Sequence, residues 1–142
     1  MYSMNTNPVY IVDDDTDDQH FVEQIWQELK YENMLKFFRS GEGLLVELQS
    51  RKISPFLILC DVNVPRGGFE LKARLLEDEL LNYKSVPFIF WSTFASKEQI
   101  RKAFMLSANG FFIKGNTYKE LKESLSDIMK YWQRSKQPEM AG

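Results

Sequence analysis

Five aspartates stand close together near the start of the chain, in the segment VYIVDDDTDD at residues 9–18. They occupy five of the six positions 13–18 and follow directly on four apolar residues. Like charges at this spacing repel one another, so either a cation neutralises some of them or their side chains point into water. The chemistry first expected of this segment is therefore the binding of positive charge.

Three further polar positions also follow apolar runs. Asp61 comes after FLILC, Ser92 and Thr93 come after VPFIFW, and Lys114 comes after GFFI. Carboxylate oxygens are ligands for Mg²⁺, and a metal ion, an ammonium and a hydroxyl donor are the groups that phosphoryl transfer uses. An aspartate can itself be the nucleophile in such chemistry. If the fold brings these side chains together, phosphoryl transfer is the expected reaction, with Asp61 as the candidate nucleophile.

The elements that would position these residues alternate along the chain. Short apolar runs rich in β-branched and aromatic residues predict five buried strands, at residues 9–12, 34–38, 56–62, 86–92 and 110–114. Between and after them lie amphipathic segments with helical spacing, the first at 17–30. Repeated alternation of this kind predicts an α/β fold, with a parallel sheet covered by helices on both faces.

In such a fold the carboxyl ends of the strands meet at one edge, where ligands bind. Asp13 and Asp14 end the first strand, and Asp61 ends the third. Ser92 and Thr93 follow the fourth strand, and Lys114 follows the fifth. Residues that are far apart in the sequence are therefore expected to form one site of three carboxylates, a hydroxyl pair and an ammonium.

Length and composition limit the other possibilities. The 142 residues fit one domain, taken as 1–142 with a core of about 8–133 and a short tail at 134–142. A net charge of −2 argues against direct nucleic-acid binding, and the single Cys60 excludes an intramolecular disulfide. No apolar run has the length of a membrane span, and the first residues do not read as a secretory signal. A cytoplasmic protein without membrane contact is expected.

The segments IVDDD, LILCDVNVP, FWST and GFFIK, in this order and at these strand ends, resemble the receiver domain of bacterial two-component response regulators. The resemblance covers roughly residues 8–133. It implies a flavodoxin-like fold, which is a doubly wound (βα)5 arrangement with strand order 2-1-3-4-5. It also implies a stand-alone receiver that acts in phosphorelay signal transduction.

The resemblance carries site roles over to matching positions. Asp61 becomes the phosphoacceptor, with Mg²⁺ as the cofactor. Asp14 and Asp61 become direct metal ligands, and Asp13 acts on the metal through water. The backbone carbonyl of Asn63 is a further metal ligand, and Lys114 pairs with the phosphoryl group.

Switching and partners are implied in the same way. Ser92 becomes the switch hydroxyl and Phe111 the switch aromatic, which alter the surface of the fourth helix, fifth strand and fifth helix. Because the only histidine, His20, falls in the first helix, the phosphohistidine donor is expected on a sensor histidine kinase or phosphotransfer protein. The output is expected through a protein target or a homodimer. Such a domain catalyses only its own phosphorylation and dephosphorylation.

The sequence departs from the family pattern at two places. The loop PRGGFE after Pro65 is one residue shorter than usual, and Gly67 and Gly68 are expected to absorb the tighter path. Gly115 follows Lys114 where the family usually has proline, often after a cis peptide bond. Because a cis bond before a non-proline residue costs about 3 kcal/mol, a trans bond or a locally altered loop is predicted here.

The other aspartates of the acidic segment have local explanations. Asp13, Asp15 and Asp17 match the start of a calcium loop, but the sixth and twelfth positions lack the required glycine and glutamate. Asp15, Asp17 and Asp18 are instead expected to interact with the positive N-terminus of the first helix, outside the chemistry. Thr16 and Gln19 have the spacing of a capping box at that helix start.

Two other functions remain open. A degenerate receiver would serve as a constitutive binding module, although the acidic pair, acceptor and lysine are all present. A Mg²⁺-dependent phosphatase would turn over a diffusible substrate through an aspartyl phosphate. Such enzymes commonly carry a second acid two residues after the nucleophile, where this chain has Asn63, which cannot act as a general acid.

Overall fold

A computed structural model describes residues 6–50, 54–78 and 86–136. Strands and helices alternate along the chain in the order β1 (Val9–Val12), α1 (Thr16–Leu29), β2 (Leu35–Phe38), α2 (Gly41–Ser50), β3 (Leu57–Asp61), α3 (Gly68–Glu77), β4 (Phe88–Ser92), α4 (Lys97–Met105), β5 (Gly110–Ile113) and α5 (Tyr118–Arg134). Each predicted strand is present, one or two residues shorter at its ends except for β1. Among the described residues, no helix is both long and apolar enough to span a membrane.

The five strands form one sheet in the order β2-β1-β3-β4-β5, and every neighbouring pair is parallel. This confirms the predicted fold class and strand order. Parallel neighbours require a crossover connection, which each intervening helix supplies. The central strands β1, β3 and β4 are buried along their whole length, which explains why their sequences are almost entirely apolar.

Alternate residues of each central strand pack into two separate cores. Tyr10, Ile58 and Phe90 face one core, which also holds the buried leucines of α2 and α3. The residues beside them in sequence face the other core, against α1 and α5: Val9, Ile11, Leu57, Leu59, Ile89, Trp91. Because strand side chains point to opposite faces in turn, the sheet separates the two cores completely.

The start of α1 differs from the expected capping box. Asp15 is the N-cap, and its carboxylate accepts hydrogen bonds from the backbone N–H groups of Asp17 and Asp18 at 2.8 and 3.2 Å. Aspartate and threonine are both good N-caps, so residue type alone did not separate Asp15 from Thr16. A capping box does occur at α4, where Ser96 and Gln99 bond to each other's backbone.

The short loop after β3 depends on two adjacent residues with positive φ. Arg66 has φ 67° and Gly67 has φ 86°, so glycine was correctly expected at only one of these two positions. Gly68 is needed for a different reason, because a Cβ there would lie 2.6 Å from the backbone oxygen of Asp61. The start of α3 can therefore lie directly against the end of β3.

The peptide bond before Gly115 is trans, as predicted, since no cis bond occurs in the described ranges. Gly115 has φ 82°, and a Cβ at this position would lie 2.4 Å from the Cβ of Glu120. The chain therefore leaves β5 through a conformation that proline, with its φ near −65°, cannot adopt.

Candidate functional site

The carboxyl edge of the sheet holds two buried aspartates in matching settings. Asp13 follows β1 and is 3% exposed, and Asp61 ends β3 and is 7% exposed. In each, Oδ1 accepts a hydrogen bond from the backbone N–H two residues later, from Asp15 at 2.9 Å and from Asn63 at 2.8 Å. These bonds fix both carboxylates and leave the Oδ2 atoms facing a common partner.

That partner is Lys114, which follows β5. Its backbone N–H donates to the carbonyl of Ser92 at 2.9 Å, so the lysine is tied to the end of β4. Its Nζ donates to Oδ2 of Asp61 at 2.5 Å, of Asp18 at 2.7 Å and of Asp13 at 2.9 Å. Side chains from four loops or helix starts therefore meet at one buried ammonium.

An aromatic ring lies against the same ammonium. Nζ of Lys114 is 4.9 Å from the centre of the Trp91 ring, a distance at which the face of an indole attracts a cation. Trp91 is fully buried, and its Nε1 has no hydrogen-bond partner among the described residues. The three carboxylates and this ring enclose the lysine head group, which is only 5% exposed.

Burial and charge act in opposite directions on these groups. Burial raises the pKa of Asp13 from 3.8 to about 6, although the Lys114 charge and hydrogen bond pull it down. Burial lowers the pKa of Lys114, but the Asp13 charge and the hydrogen bonds to Asp18, Asp61 and Asp13 outweigh it and raise that pKa above its usual value. The lysine therefore stays charged, and its charge is what allows carboxylates to be buried here.

The donor set fits a hard divalent cation. One carboxylate oxygen each from Asp13, Asp18 and Asp61 lies within 4.8 Å of the others. With all groups ionised, three negative charges face the single positive charge of Lys114, which leaves a net charge of −2 at this edge. Oxygen ligands and excess negative charge are what Mg²⁺ selects. Asp14, the predicted direct ligand, is exposed and does not belong to this cluster, so its role as a ligand remains a prediction.

Asp18 was not expected at the site. The sequence assigned it to the N-terminus of the first helix without a chemical role, and its 2.7 Å contact with Lys114 shows that this assignment was incomplete. Side chains on a helix lean toward its N-terminus, so a residue in the first turn of α1 points back at the edge from which the helix begins. That direction was the available signal. Nothing in the sequence pointed to Trp91 under the lysine.

The remaining predicted residues lie at or near this edge. Ser92 is buried, and its hydroxyl accepts a bond from the N–H of Phe94 at 3.4 Å. Phe111 packs at 6.4 Å against Phe90, whereas Phe112 packs into the opposite core. Because Ser92 follows Phe90 by two residues on β4, it faces the same side of the sheet as Phe111. The predicted switch pair therefore shares one face.

Comparison with known proteins identifies the class that this fold and site define. The profile of the response regulator receiver domain matches residues 9–126, so the chain belongs to that family.

Two curated relatives illustrate the range of the family. The chain is 28% identical over 121 residues to the chemotaxis protein CheY-3 of Vibrio cholerae, covering 84% of this chain and 89% of that protein. It is 22% identical over 129 residues to the probable methanogenesis regulatory protein FilR2 of Methanothrix harundinacea, covering 87% of this chain and 82% of that protein.

Solved structures share the fold. The phosphorylated cyanobacterial phytochrome response regulator RcpA has a TM-score of 0.83 at 21% identity, over 94% of this chain and 99% of that one. A response regulator in red light signaling of R. palustris has a TM-score of 0.84 at 21% identity, over 94% and 99% of the two chains. Both are response regulators, and at this identity they support the fold alone.

Proposed function

We propose that this receiver domain accepts a phosphoryl group on Asp61 from a phosphohistidine of a partner kinase or phosphotransfer protein. The observation that carries the proposal is the convergence of Asp61, Asp13 and Lys114 at the carboxyl edge, with Lys114 Nζ 2.5 and 2.9 Å from the two carboxylates. Opposite charges buried at one point by three distant parts of the chain are typical of a binding or catalytic site. The cytoplasmic location expected from the sequence belongs to this proposal.

In the proposed reaction a carboxylate oxygen of Asp61 attacks phosphorus. The new O–P bond forms as the P–N bond to the donor imidazole breaks, and the imidazole leaves with that electron pair and takes up a proton. Asn63 orients the carboxylate, because its N–H already holds Oδ1 of Asp61 at 2.8 Å. Lys114 stabilises the negative charge of the transferred group when its ammonium exchanges a carboxylate for a phosphoryl oxygen.

Mg²⁺ is the proposed cofactor, held by carboxylates of this edge. Asp61, Asp14 and the backbone carbonyl of Asn63 are the proposed direct ligands, and Asp13 acts through water. When bound, the ion would neutralise phosphoryl oxygens and the excess negative charge of the site. The carboxylate oxygens of Asp13, Asp18 and Asp61, which lie within 4.8 Å of one another, support a cation at this edge. The roles of Asp14 and of the Asn63 carbonyl come from the resemblance to the family.

The output follows from Ser92 and Phe111. Phosphorylation converts the Asp61 carboxylate into a larger and more negative group, to which the Ser92 hydroxyl can donate a hydrogen bond. Movement of Ser92 frees space on the face that it shares with Phe111, beside α4. The populations of two conformations then shift, and a protein partner that binds the surface of α4, β5 and α5 reads the difference.

Incubation with Mg²⁺ and acetyl phosphate tests the proposal by intact-protein mass spectrometry. The wild-type chain is expected to gain the mass of one phosphoryl group, which peptide mapping places on Asp61. The matched variant Asp61→Asn keeps the shape of the side chain and is expected to gain none. Equal phosphorylation of this variant, or no phosphorylation of wild type despite Mg²⁺ binding, would contradict the proposal; the second outcome would favour a constitutive binding module.

A further inference from the structure

The ammonium of Lys114 has no spare hydrogen-bond donor. A lysine head group carries three N–H donors, and the three carboxylates of Asp13, Asp18 and Asp61 accept at 2.9, 2.7 and 2.5 Å. A phosphoryl oxygen can therefore bind Lys114 only if one of these carboxylates releases it. The carboxylate that keeps its bond to the ammonium therefore sets the position of the Lys114 side chain during the reaction.

Two of the three acceptors have other duties in the proposed function, on which this inference rests. Asp61 loses the charge of its carboxylate to the new O–P bond, and Asp13 acts on the metal. Asp18 has neither duty. It is the acceptor that remains available to Lys114 before, during and after transfer.

The position of Asp18 suits that role. It lies in the first turn of α1, and the N-cap Asp15 fixes this turn by accepting the N–H of Asp18 at 3.2 Å. Its side chain is 18% exposed, so the contact with Lys114 is partly shielded from water. Without Asp18, the ammonium would keep Asp13, Asp61 and the Trp91 ring as neighbours, and Asp13 alone would remain as a carboxylate acceptor once Asp61 releases it.

The stretch that follows Lys114 adds to the need for such a contact. Gly115, at φ 82°, is glycine, the residue type whose backbone is least restrained. The backbone bond to Ser92 at 2.9 Å holds only the main chain of Lys114. Contacts of the side chain must therefore set the direction of the long lysine side chain.

We propose that Asp18 is a positioning residue that holds the Lys114 ammonium at the phosphoacceptor site while Asp61 exchanges the lysine for a phosphoryl group. Asp18 touches neither the phosphorus nor the attacking oxygen in this scheme, and it acts through Lys114. Its negative charge also repels an incoming phosphate. We expect the orientation of the lysine to outweigh this repulsion.

Three variants test the proposal. Asp18→Asn keeps the shape and removes the charge, and Asp18→Glu keeps the charge on a longer side chain. Asp17→Asn is the matched control, since Asp17 is an exposed acid in the same first turn and its loss has the same effect on the helix N-terminus. Thermal unfolding checks that all three variants fold.

Two quantities are measured. The first is the rate of Asp61 phosphorylation by acetyl phosphate with Mg²⁺, which is expected to fall roughly tenfold in Asp18→Asn as one charge-assisted bond is lost. Asp18→Glu is expected to recover most of the rate, and Asp17→Asn to match wild type. The second is the NMR chemical shift of the Lys114 ε-methylene protons in metal-free protein. The Trp91 ring, 4.9 Å from the ammonium, is expected to alter this shift, so the signal that moves in Trp91→Phe is assigned to Lys114.

The NMR shift separates positioning from a structural contribution. In Asp18→Asn the Lys114 signal is expected to move, because the ammonium shifts toward Asp13 and Asp61, the two acceptors that remain. In Asp17→Asn the signal is expected to stay in place. An unmoved Lys114 signal in Asp18→Asn, or a rate equal to or above wild type, would overturn the proposal. If wild type itself is not phosphorylated, the proposed function fails, and the Lys114 signal still decides whether Asp18 holds the lysine.

Discussion

At the amino edge of the sheet a neutral amide is buried, whereas the carboxyl edge also buries charged groups. Asn33 is 3% exposed, and its Nδ2 donates to the backbone carbonyl of Asn7 at 2.7 Å, while the backbone carbonyl of Asn33 accepts from Nε1 of Trp26 at 2.8 Å. The carboxyl edge buries the charged side chains of Asp13, Asp61 and Lys114 together with Ser92.

This difference in buried charge indicates that the two edges have different roles. Asn33 binds neutral groups that belong to the fold, so this edge is complete by itself. The carboxyl edge gathers three carboxylates around one ammonium and so keeps excess negative charge. Burial of unbalanced charge costs free energy, and charge buried in this way is typical of binding and catalytic sites.

The largest effect is expected when the positive charge of Lys114 is removed from the carboxyl edge. Lys114→Met leaves the three carboxylates without their counter-charge, and the free energy of unfolding in metal-free buffer is expected to fall by about 3 kcal/mol. Mg²⁺ is expected to restore part of this loss, and to stabilise the variant more than wild type, because the ion replaces the missing charge.

Urea unfolding with and without Mg²⁺ measures both effects. Lys114→Arg, which keeps the charge, serves as the control and should lose less stability than Lys114→Met. Equal stability of Lys114→Met and wild type in chelator would show that the carboxylates are not held by this lysine.

The free energy of unfolding is also expected to depend on pH through Asp13 at the carboxyl edge. The pKa of Asp13 is 3.8 unfolded and about 6 folded, so between these values the folded chain holds more protons than the unfolded chain. The stability that comes from protonated Asp13 is therefore full below about pH 4 and is lost as pH rises through about 6. The excess stability of wild type over Asp13→Asn should fall by on the order of 2 kcal/mol across this window.

Urea unfolding of both proteins at pH 4, 5, 6 and 7 in metal-free buffer measures this difference. Taking the difference removes the contribution of groups that titrate alike in the two proteins. A difference that rises with pH would mean that the Lys114 charge, and not burial, dominates at Asp13.

The smallest effect is expected at the amino edge. Asn33→Ala removes a buried hydrogen bond to the Asn7 carbonyl and should cost about 1 to 2 kcal/mol, with the same value in Mg²⁺ and in chelator. Asn116→Ala, at an exposed position, is the control and should change stability by less than about 0.5 kcal/mol. A Mg²⁺-dependent cost at Asn33 would show that the two edges are not independent.

Much of the site was predictable because polar residues end apolar strands. Asp61 and Lys114 stood out for this reason, and the parallel sheet brings them together as expected. The switch and metal roles of Ser92, Phe111, Asn63 and Asp14 remain predictions that need the phosphorylation and metal-binding experiments. The direction of side chains in the first turn of α1 pointed to this edge, but it did not separate Asp18 from Asp17, because both are aspartates in one acidic segment.

The loop after Pro65 shows the same limit of prediction from sequence. Residue types predicted a tight path after Pro65, but the positive φ falls on Arg66 and Gly67, because Gly68 must lie against the Asp61 backbone. That close approach is a contact between β3 and α3, and sequence spacing does not contain it.

The sequence by itself determined the alternation of strands and helices, and with it the edge at which Asp13, Asp61 and Lys114 meet, because side-chain periodicity and strand ends are local properties. Only the tertiary structure decided that Asp18 and Trp91 enclose the lysine. Their contacts depend on how α1 and β4 are oriented around that edge, and this orientation results from the packing of both cores.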